Sequence, residues 1–532
     1  MNVASKPSLL MDLRPCYEGF AGIPQEARLL WAMFARMGLP RFGGLASGLH
    51  YTHRFRPTRT AFEGVLAQTQ ALIAQDTQRQ HWPMPLSLLP TSVRGPLFNP
   101  WMVLSEGLRA EKLDLQIDPV RFEDYLWMKL FDNTLPPSDR ALIGRAEYFL
   151  TELGHEYARS FSILPRILQR RLDCEGWGVF FAASVTPYRV APGTAMVVRY
   201  YDALPLLSPH TIGAPWMHAL SHARMLHRNM RDGALFVCDS EPVRQDLLGL
   251  FPGAEAQVHT IPVIVSSGFY PDPQPERVVR TILARRRSAV TSGRDAKAGA
   301  DGAESAPFQS ATPQSATFRS ATSRRTKPAA SLPKLFLAVS TLEPRKNYLK
   351  LFRAFDQARG LTRKPMRLVI VANKGWRSDL ELTELKRMVA EGVVHHLSGV
   401  PADELRLLYS AAHAVIAPSR AEGFDYSGAE GMACGTPVIA SDIPVHRWVY
   451  GDAAEYFDPY STEALAQLIA DYTGLPRDSG YLAEQSSRGL REARRYHPDT
   501  LSPVWERTLI DLTQAHDPTA RMKKRSVSVA AS

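Results

Sequence analysis

The sequence predicts an α/β fold of two doubly wound domains, and three features carry that prediction. The C-terminal part alternates short, continuous apolar runs with amphipathic helical patterns. The N-terminal part repeats strand, polar loop and helix less regularly. Between them lies a stretch rich in Ser, Ala, Thr and Gly that contains the near-repeat "QSAT", "QSAT", "RSAT".

In the C-terminal part the apolar runs are "KLFLAVS", "MRLVIVAN", "VVHHLSGV", "AHAVIAPS" and "TPVIAS". The helical patterns between them are "NYLKLFRAFDQA", "DLELTELKRMVAE", "PADELRLLYSAA" and "SGAEGMAC". Buried strands separated by helices indicate βαβ units and a parallel sheet. In the N-terminal part "FAGIPQEARLLWAMFARMG" reads as a glycine loop feeding a helix. "AMVVRYYDALPLL" and "GALFVCDSEPVRQDLLGLF" each read as a strand followed by a polar loop. The low-complexity stretch, from about 288 to 332, cannot bury enough apolar surface to offset its chain entropy and is expected to be a disordered linker. The expected layout is an N-terminal domain over 1–285, a linker over 286–333, a C-terminal domain over 334–515 and a basic tail over 516–532.

Composition narrows the function classes. A chain of 532 residues with 45% hydrophobic and 22% charged residues suits two or three globular domains. No apolar run reaches the ~18 residues of a membrane span, and the first residues lack the pattern of a signal peptide. The four cysteines, Cys16, Cys174, Cys238 and Cys434, form no CxxC pair and suit buried thiols in a reducing cytoplasm. The net charge of +10 has no zinc-ligand spacing or RNA-binding signature beside it, which argues against nucleic acid. The basic clusters "RILQRR", "ILARRR" and "RMKKR" suit an anionic membrane surface or plain solvated faces.

Ligands of parallel sheets sit beyond the C-terminal strand ends. After "AVIAPS" the loop "RAEGFDY" precedes Ser427, a good N-cap, and Gly435, a good C-terminal glycine, which predicts a short helix from Gly428 to Cys434. Backbone amides at such a start, with Gly428 allowing close approach, suit an anion. Arg345 and Lys346 of "LEPRKN" stand at the end of another strand, just before a helix, where positive charge opposes the helix dipole and so favours a ligand role. Ser427 and Glu430 also have capping-box spacing, which needs no ligand.

"LEPRKNYLKLFRAF", "LYSAAHAVIAPS" and "EGFDYSGAEGMACGTPVIASDIPVHRWVYGDAAEYFDP" resemble the C-terminal half of family 4 glycosyltransferases (glycosyl transferases group 1), with Glu422-x₇-Glu430 as the hallmark spacing. The resemblance implies a two-domain GT-B fold and a retaining, metal-independent transferase. By it, Glu430 would bond the donor ribose, Glu422 would face the donor sugar, and Lys346 with Arg345 would neutralise the diphosphate. Amides of Gly423, Phe424, Asp425, Tyr426, Ser427 and Gly428 would cradle that diphosphate. The loop near Val400 would lie against the base, and Gly22 would approach from across the cleft. The chain departs from the family at Thr341, where arginine is common, and at Tyr201-Asp202, where "HD" is common and the histidine contacts the donor. It departs again at Asp425, where glycine is common. No metal is implied, and the only cofactor-like partner is a nucleotide-sugar co-substrate.

The likeness is strongest to mannosyltransferases of exopolysaccharide and O-antigen assembly. It implies GDP-mannose first and UDP-sugars next as donors, a lipid-linked or oligosaccharide acceptor, and a cytoplasmic location with a peripheral contact to the inner face of the plasma membrane. A sugar-nucleotide epimerase, a phosphorylase and a non-catalytic nucleotide-sugar binder are the competing readings. The phosphorylase lacks a recognisable lysine for pyridoxal phosphate.

Overall fold

A computed structural model describes residues 6–17, 19–46, 58–77, 110–113, 115–151, 159, 171–211, 215–291 and 333–516. Most of the expected linker (292–332) and the tail beyond 516 lie outside the described residues.

The strands are β1 (Leu9–Asp12), β2 (Phe42–Leu45), β3 (Ala110–Lys112), β4 (Leu115–Ile117), β5 (Glu147–Leu150), β6 (Arg171–Asp173), β7 (Val179–Ala182), β8 (Ala195–Tyr200), β9 (Leu235–Cys238) and β10 (Val258–Thr260) in the first part. The second part has β11 (Lys334–Val339), β12 (Met366–Val371), β13 (Val394–Leu397), β14 (Ala414–Ala417), β15 (Val438–Ser441) and β16 (Ala454–Phe457). The first sheet runs β10-β9-β8-β7-β1-β2-β5-β4 and the second β13-β12-β11-β14-β15-β16; β3 and β6 pair separately. Every pairing in the second sheet is parallel, and in the first only β4 runs antiparallel, against β5. Both sheets are doubly wound. In the second the order reverses between β11 and β14, and in the first between β1 and β7, which opens a crevice at each point.

Period-two alternation builds the cores. Leu335 and Leu337 face one layer of the second domain while Phe336 and Ala338 face the other, and Val197 and Val198 divide the same way in the first. The changeover between domains comes earlier than the expected boundary at 285. Val263, Val265, Phe269, Val279 and Leu283 pack into a core of the second domain, and helix Glu276–Thr291 runs past residue 285. Arg286 Nε binds Glu404 at 2.8 Å and fastens that helix to the second domain. The last helix, Pro498–His516, crosses back: Trp505 is fully buried edge-on to Phe34 and Phe181, with ring centroids 5.8 and 5.6 Å away. All four cysteines are buried and free.

Candidate active site

The second sheet's switch point gathers the predicted residues of its own domain. Beyond β11 the chain turns through a 3₁₀ segment, Pro344–Lys346, into Asn347, whose φ of 62° is left-handed. Asn347 is buried, and its side-chain amide donates to the carbonyls of Pro418 and Pro459 at 3.0 Å each. This one residue therefore fixes the β11 loop against the β14 loop. The result brings Arg345 and Lys346 to Glu422: Arg345 Nη1 lies 2.6 Å from Oε2 and Lys346 Nζ 2.5 Å from Oε1. Arg345 Nε also binds Glu343, 3.0 Å away. Thr341, the position where a third cation was expected, donates to Glu343 at 2.9 Å instead. Burial works against the charged form of Glu422, but Arg345 and Lys346 outweigh it and hold the carboxyl below its ordinary range.

The helix after β14 starts two residues earlier than expected, running Tyr426–Ala433 with Asp425 as its N-cap. Asp425 Oδ1 accepts from the Ser427 backbone N–H at 3.0 Å and from Ser427 Oγ at 2.7 Å, and Oδ2 lies 3.3 Å from His446 Nε2. His446 Nδ1 is 2.9 Å from the Ser441 carbonyl, so the ring is fixed from behind. Asp425 is thus a buried cap. Ser427 is capped rather than capping, and its amide is already used. The capping-box alternative for Glu430 does not form, because its carboxyl accepts from Gln25 Nε2 at 2.9 Å and Tyr409 Oη at 3.0 Å. Burial pushes the Glu430 carboxyl up to about 7, against those two bonds.

Two further expectations change. A Cβ at Gly428 would overlap the Tyr450 ring, so this glycine answers to packing, not to close approach of a ligand. Phe424 lies in the core, edge-on to Tyr496 with centroids 5.2 Å apart, so only its backbone is left to face a ligand. Val400 follows β13 at the sheet's edge and packs partly buried against the core that contains Phe424. A small polar cavity of about 10 Å³, room for one water, is lined by Ser340, Lys346, Asp425 and Ser427 among others.

The first domain closes on this loop. A Cβ at Gly423 would overlap the carbonyl oxygen of Tyr201, and Ser240 Oγ donates to the Gly423 carbonyl at 2.7 Å. Gly22 caps helix α1 (Ile23–Arg36) with φ 71°, and nothing stands within 4 Å of where its Cβ would be. Asp202 accepts from the Leu204 amide at 3.0 Å; burial raises its pKa and Arg345 across the cleft opposes that. The Tyr201 hydroxyl is buried without a hydrogen-bond partner.

Sequence reasoning missed Gln25, Glu26, Arg199, Asn347 and His446. Arg199 carried a readable signal, a charge in the middle of the apolar run "AMVVRYY". Among the described residues no group of three or more His, Cys, Asp or Glu side chains is arranged to hold a metal ion.

The sequence profile of glycosyl transferases group 1 matches residues 320–486. The C-terminal domain belongs to that family. Within it the chain is 32% identical over 160 residues to O-antigen chain mannosyltransferase B of Escherichia coli, covering 30% of this chain and 41% of that protein. It is also 32% identical over 165 residues to O-antigen chain mannosyltransferase RfbU of Salmonella typhimurium, covering 30% and 44%. The chain thus matches less than half the length of these relatives. The N-terminal domain of trehalose-6-phosphate phosphatase from Candida albicans aligns over 96% of this chain and 98% of its own, with 10% identity and a TM-score of 0.53. That likeness is one of fold: two Rossmann-like parallel sheets in the GT-B arrangement.

Proposed function

We propose that the protein is a retaining, metal-independent glycosyltransferase that moves a hexose from a nucleotide-sugar to a saccharide acceptor. One observation carries this reading: a buried carboxylate held between two cations at the switch point, Glu422 with Arg345 and Lys346. A donor diphosphate would take over both cations and release Glu422 to the hydroxyls of the sugar. Charge then develops on the departing β-phosphate, and fixed guanidinium and ammonium groups stabilise it without reorganising. Glu430 would give up Gln25 for the ribose diol, and the Tyr201–Gly423 contact would part to admit the donor.

The mannosyltransferase relatives favour GDP-mannose as donor and a lipid-linked polysaccharide acceptor, with the basic clusters meeting an anionic membrane from the cytoplasmic side. No helix among the described residues is long and apolar enough to cross a membrane. The test is release of GDP from GDP-mannose, or UDP from UDP-glucose, with EDTA present. Turnover in EDTA supports the reading, whereas turnover that needs added Mg²⁺ or Mn²⁺ overturns the metal-independent mechanism. A non-catalytic binder is the second reading, favoured by Tyr201 in the position of the family's histidine. Binding with no release from either donor, even with acceptor lipid extracts, would select it.

A further inference from the structure

The cleft holds polar side chains that the proposed reaction leaves unused. Glu26, in the first turn of α1, pairs with Arg199 of β8: Nη2 lies 2.6 Å and Nε 3.1 Å from Glu26 Oε1, with both side chains wholly buried. Arg199 Nη1 is fully engaged by the carbonyls of Val237, Cys238 and Ile261, the last at 2.6 Å. All of this bonding falls on one oxygen of Glu26. Oε2 has no hydrogen-bond partner, and neither have Tyr201 Oη, Asp239 Oδ1 and Tyr426 Oη, all four buried atoms.

These atoms form one group drawn from both domains. Tyr201 interacts electrostatically with Glu26, Arg199 and Asp239. Tyr426, which comes from the loop and helix after β14, interacts with Glu26, Tyr201 and Arg199. A buried polar atom left unpaired is costly, and folded proteins rarely keep one, let alone four together. A cluster serving only as internal structure would pair its members with one another, as Arg199 is paired.

We infer that Glu26, Tyr201, Asp239 and Tyr426 form a saccharide subsite across the two domains that takes the hydroxyls of a pyranose ring. The chemistry selects that class. Two carboxyl oxygens accept, and two phenolic hydroxyls both accept and donate, which matches a ring bearing several O–H groups. Two acidic side chains disfavour a phosphate, so the subsite is separate from the cations at Arg345 and Lys346. The inference rests on the nucleotide-sugar reading of the cleft, and the ring is either the transferred hexose or the acceptor's.

Titration calorimetry with GDP, GDP-mannose and methyl α-mannopyranoside, on wild type, Tyr426→Phe and Asp239→Asn, distinguishes these. Each variant should bind GDP as wild type does and lose about tenfold toward a sugar-bearing ligand, the effect of one well-made hydrogen bond. Loss confined to GDP-mannose assigns the transferred hexose, and loss confined to methyl α-mannopyranoside assigns the acceptor ring. The melting temperature of Tyr426→Phe should hold or rise, because an unpaired hydroxyl has been removed. Unchanged sugar binding with a lower melting temperature would make the group a structural core and overturn the subsite. Wild type that binds neither GDP nor UDP would overturn the donor reading instead, and the methyl mannoside arm would then decide the subsite alone.

Discussion

Each side of the cleft buries a glutamate against an arginine, and the two pairs differ in what surrounds them. On the C-terminal side Glu422 has two cations, Arg345 and Lys346, whose side chains keep 21% and 12% of their surface exposed. On the N-terminal side Glu26 has only Arg199, both fully buried, with the guanidinium tied to three backbone carbonyls. The first pair can exchange partners, since its cations reach the crevice and an arriving anion can replace Glu422. The second cannot, because releasing Arg199 would strand it among carbonyls in the sheet. The same two residue types thus make an exchangeable charge site in one domain and a fixed anchor in the other.

Removing each arginine tests that contrast most severely. Arg199→Met leaves Glu26 buried without a counter-charge and should cost about 3–5 kcal/mol of stability. The double variant with Glu26→Leu should recover most of it, since a buried ion pair is often replaceable by apolar groups. Arg345→Met should cost clearly less, because Lys346 still faces Glu422, but should weaken nucleoside diphosphate binding strongly. Urea unfolding and calorimetry of both variants give the answer. Equal stability losses with no change in nucleotide binding would make both pairs structural.

The two hallmark carboxylates sharpen the comparison next. Glu430→Gln should weaken GDP binding about 10- to 100-fold, the effect of lost charge-assisted hydrogen bonds to the ribose. Glu422→Gln should lower turnover more than GDP affinity, since its partner would be the sugar. The pair also differs in titration. Folded Glu430 keeps its proton up to about 7, against 4.5 without the fold's influence, so the folded protein binds more protons in that window. Its contribution to stability is therefore complete below 4.5 and is lost as pH rises through 7. Urea midpoints of wild type relative to Glu430→Gln should fall across that range. A flat difference would place Glu430 in a more solvated setting.

Legibility followed the same division. The C-terminal sheet was readable because each strand is a short apolar run and each helix amphipathic, so local pattern and tertiary burial agree. Arg345, Lys346, Glu422 and Glu430 stood out by spacing alone, though nothing local said that the first three would bind one another. The helix start was misread for a non-local reason. Asp425 and Ser427 are both good caps, and His446, far along the chain, secures the second oxygen of Asp425. The boundary at 285 failed similarly, since the pattern of Val263 to Leu283 gives a strand-like run and a helix but not the sheet they cover. In the first domain Glu26, Arg199 and Asp239 come from separate strands and a helix, and only the folded sheet brings them together.

The cap is the next smaller test. Asp425→Ala removes the acceptor for the Ser427 amide and should cost about 0.5–2 kcal/mol. Asp425→Asn should recover part of the cap but lose the charge beside His446. Asp425 is held below the ordinary carboxylate range: burial opposes this, but His446, Lys346 and Ser427 prevail. Its contribution is present above that range and lost as pH falls below it, so the gap between wild type and Asp425→Asn should narrow on acidification. Unfolding at two pH values checks this, and a gap that widens toward acid would assign the cap to another group.

Gln25→Ala probes the contact between the two sides and should have the smallest effect. One hydrogen bond between Gln25 Nε2 and Glu430 Oε1 is lost, while Tyr409 continues to donate to the other oxygen. A stability change of about 0.5–1.5 kcal/mol is expected. The effect on ligand binding has the opposite sign. In wild type the donor ribose must displace Gln25 from the carboxylate, and the variant removes that competition, so GDP should bind as tightly or a few-fold more tightly. Gln25 also helps Glu430 lose its proton, so the variant's advantage should grow above pH 7, where Glu430 is charged in both proteins. Weaker GDP binding by Gln25→Ala would show that Gln25 holds the donor together with Glu430. The cross-domain bond would then belong to the loaded cleft, and the first domain would contribute directly to nucleotide affinity.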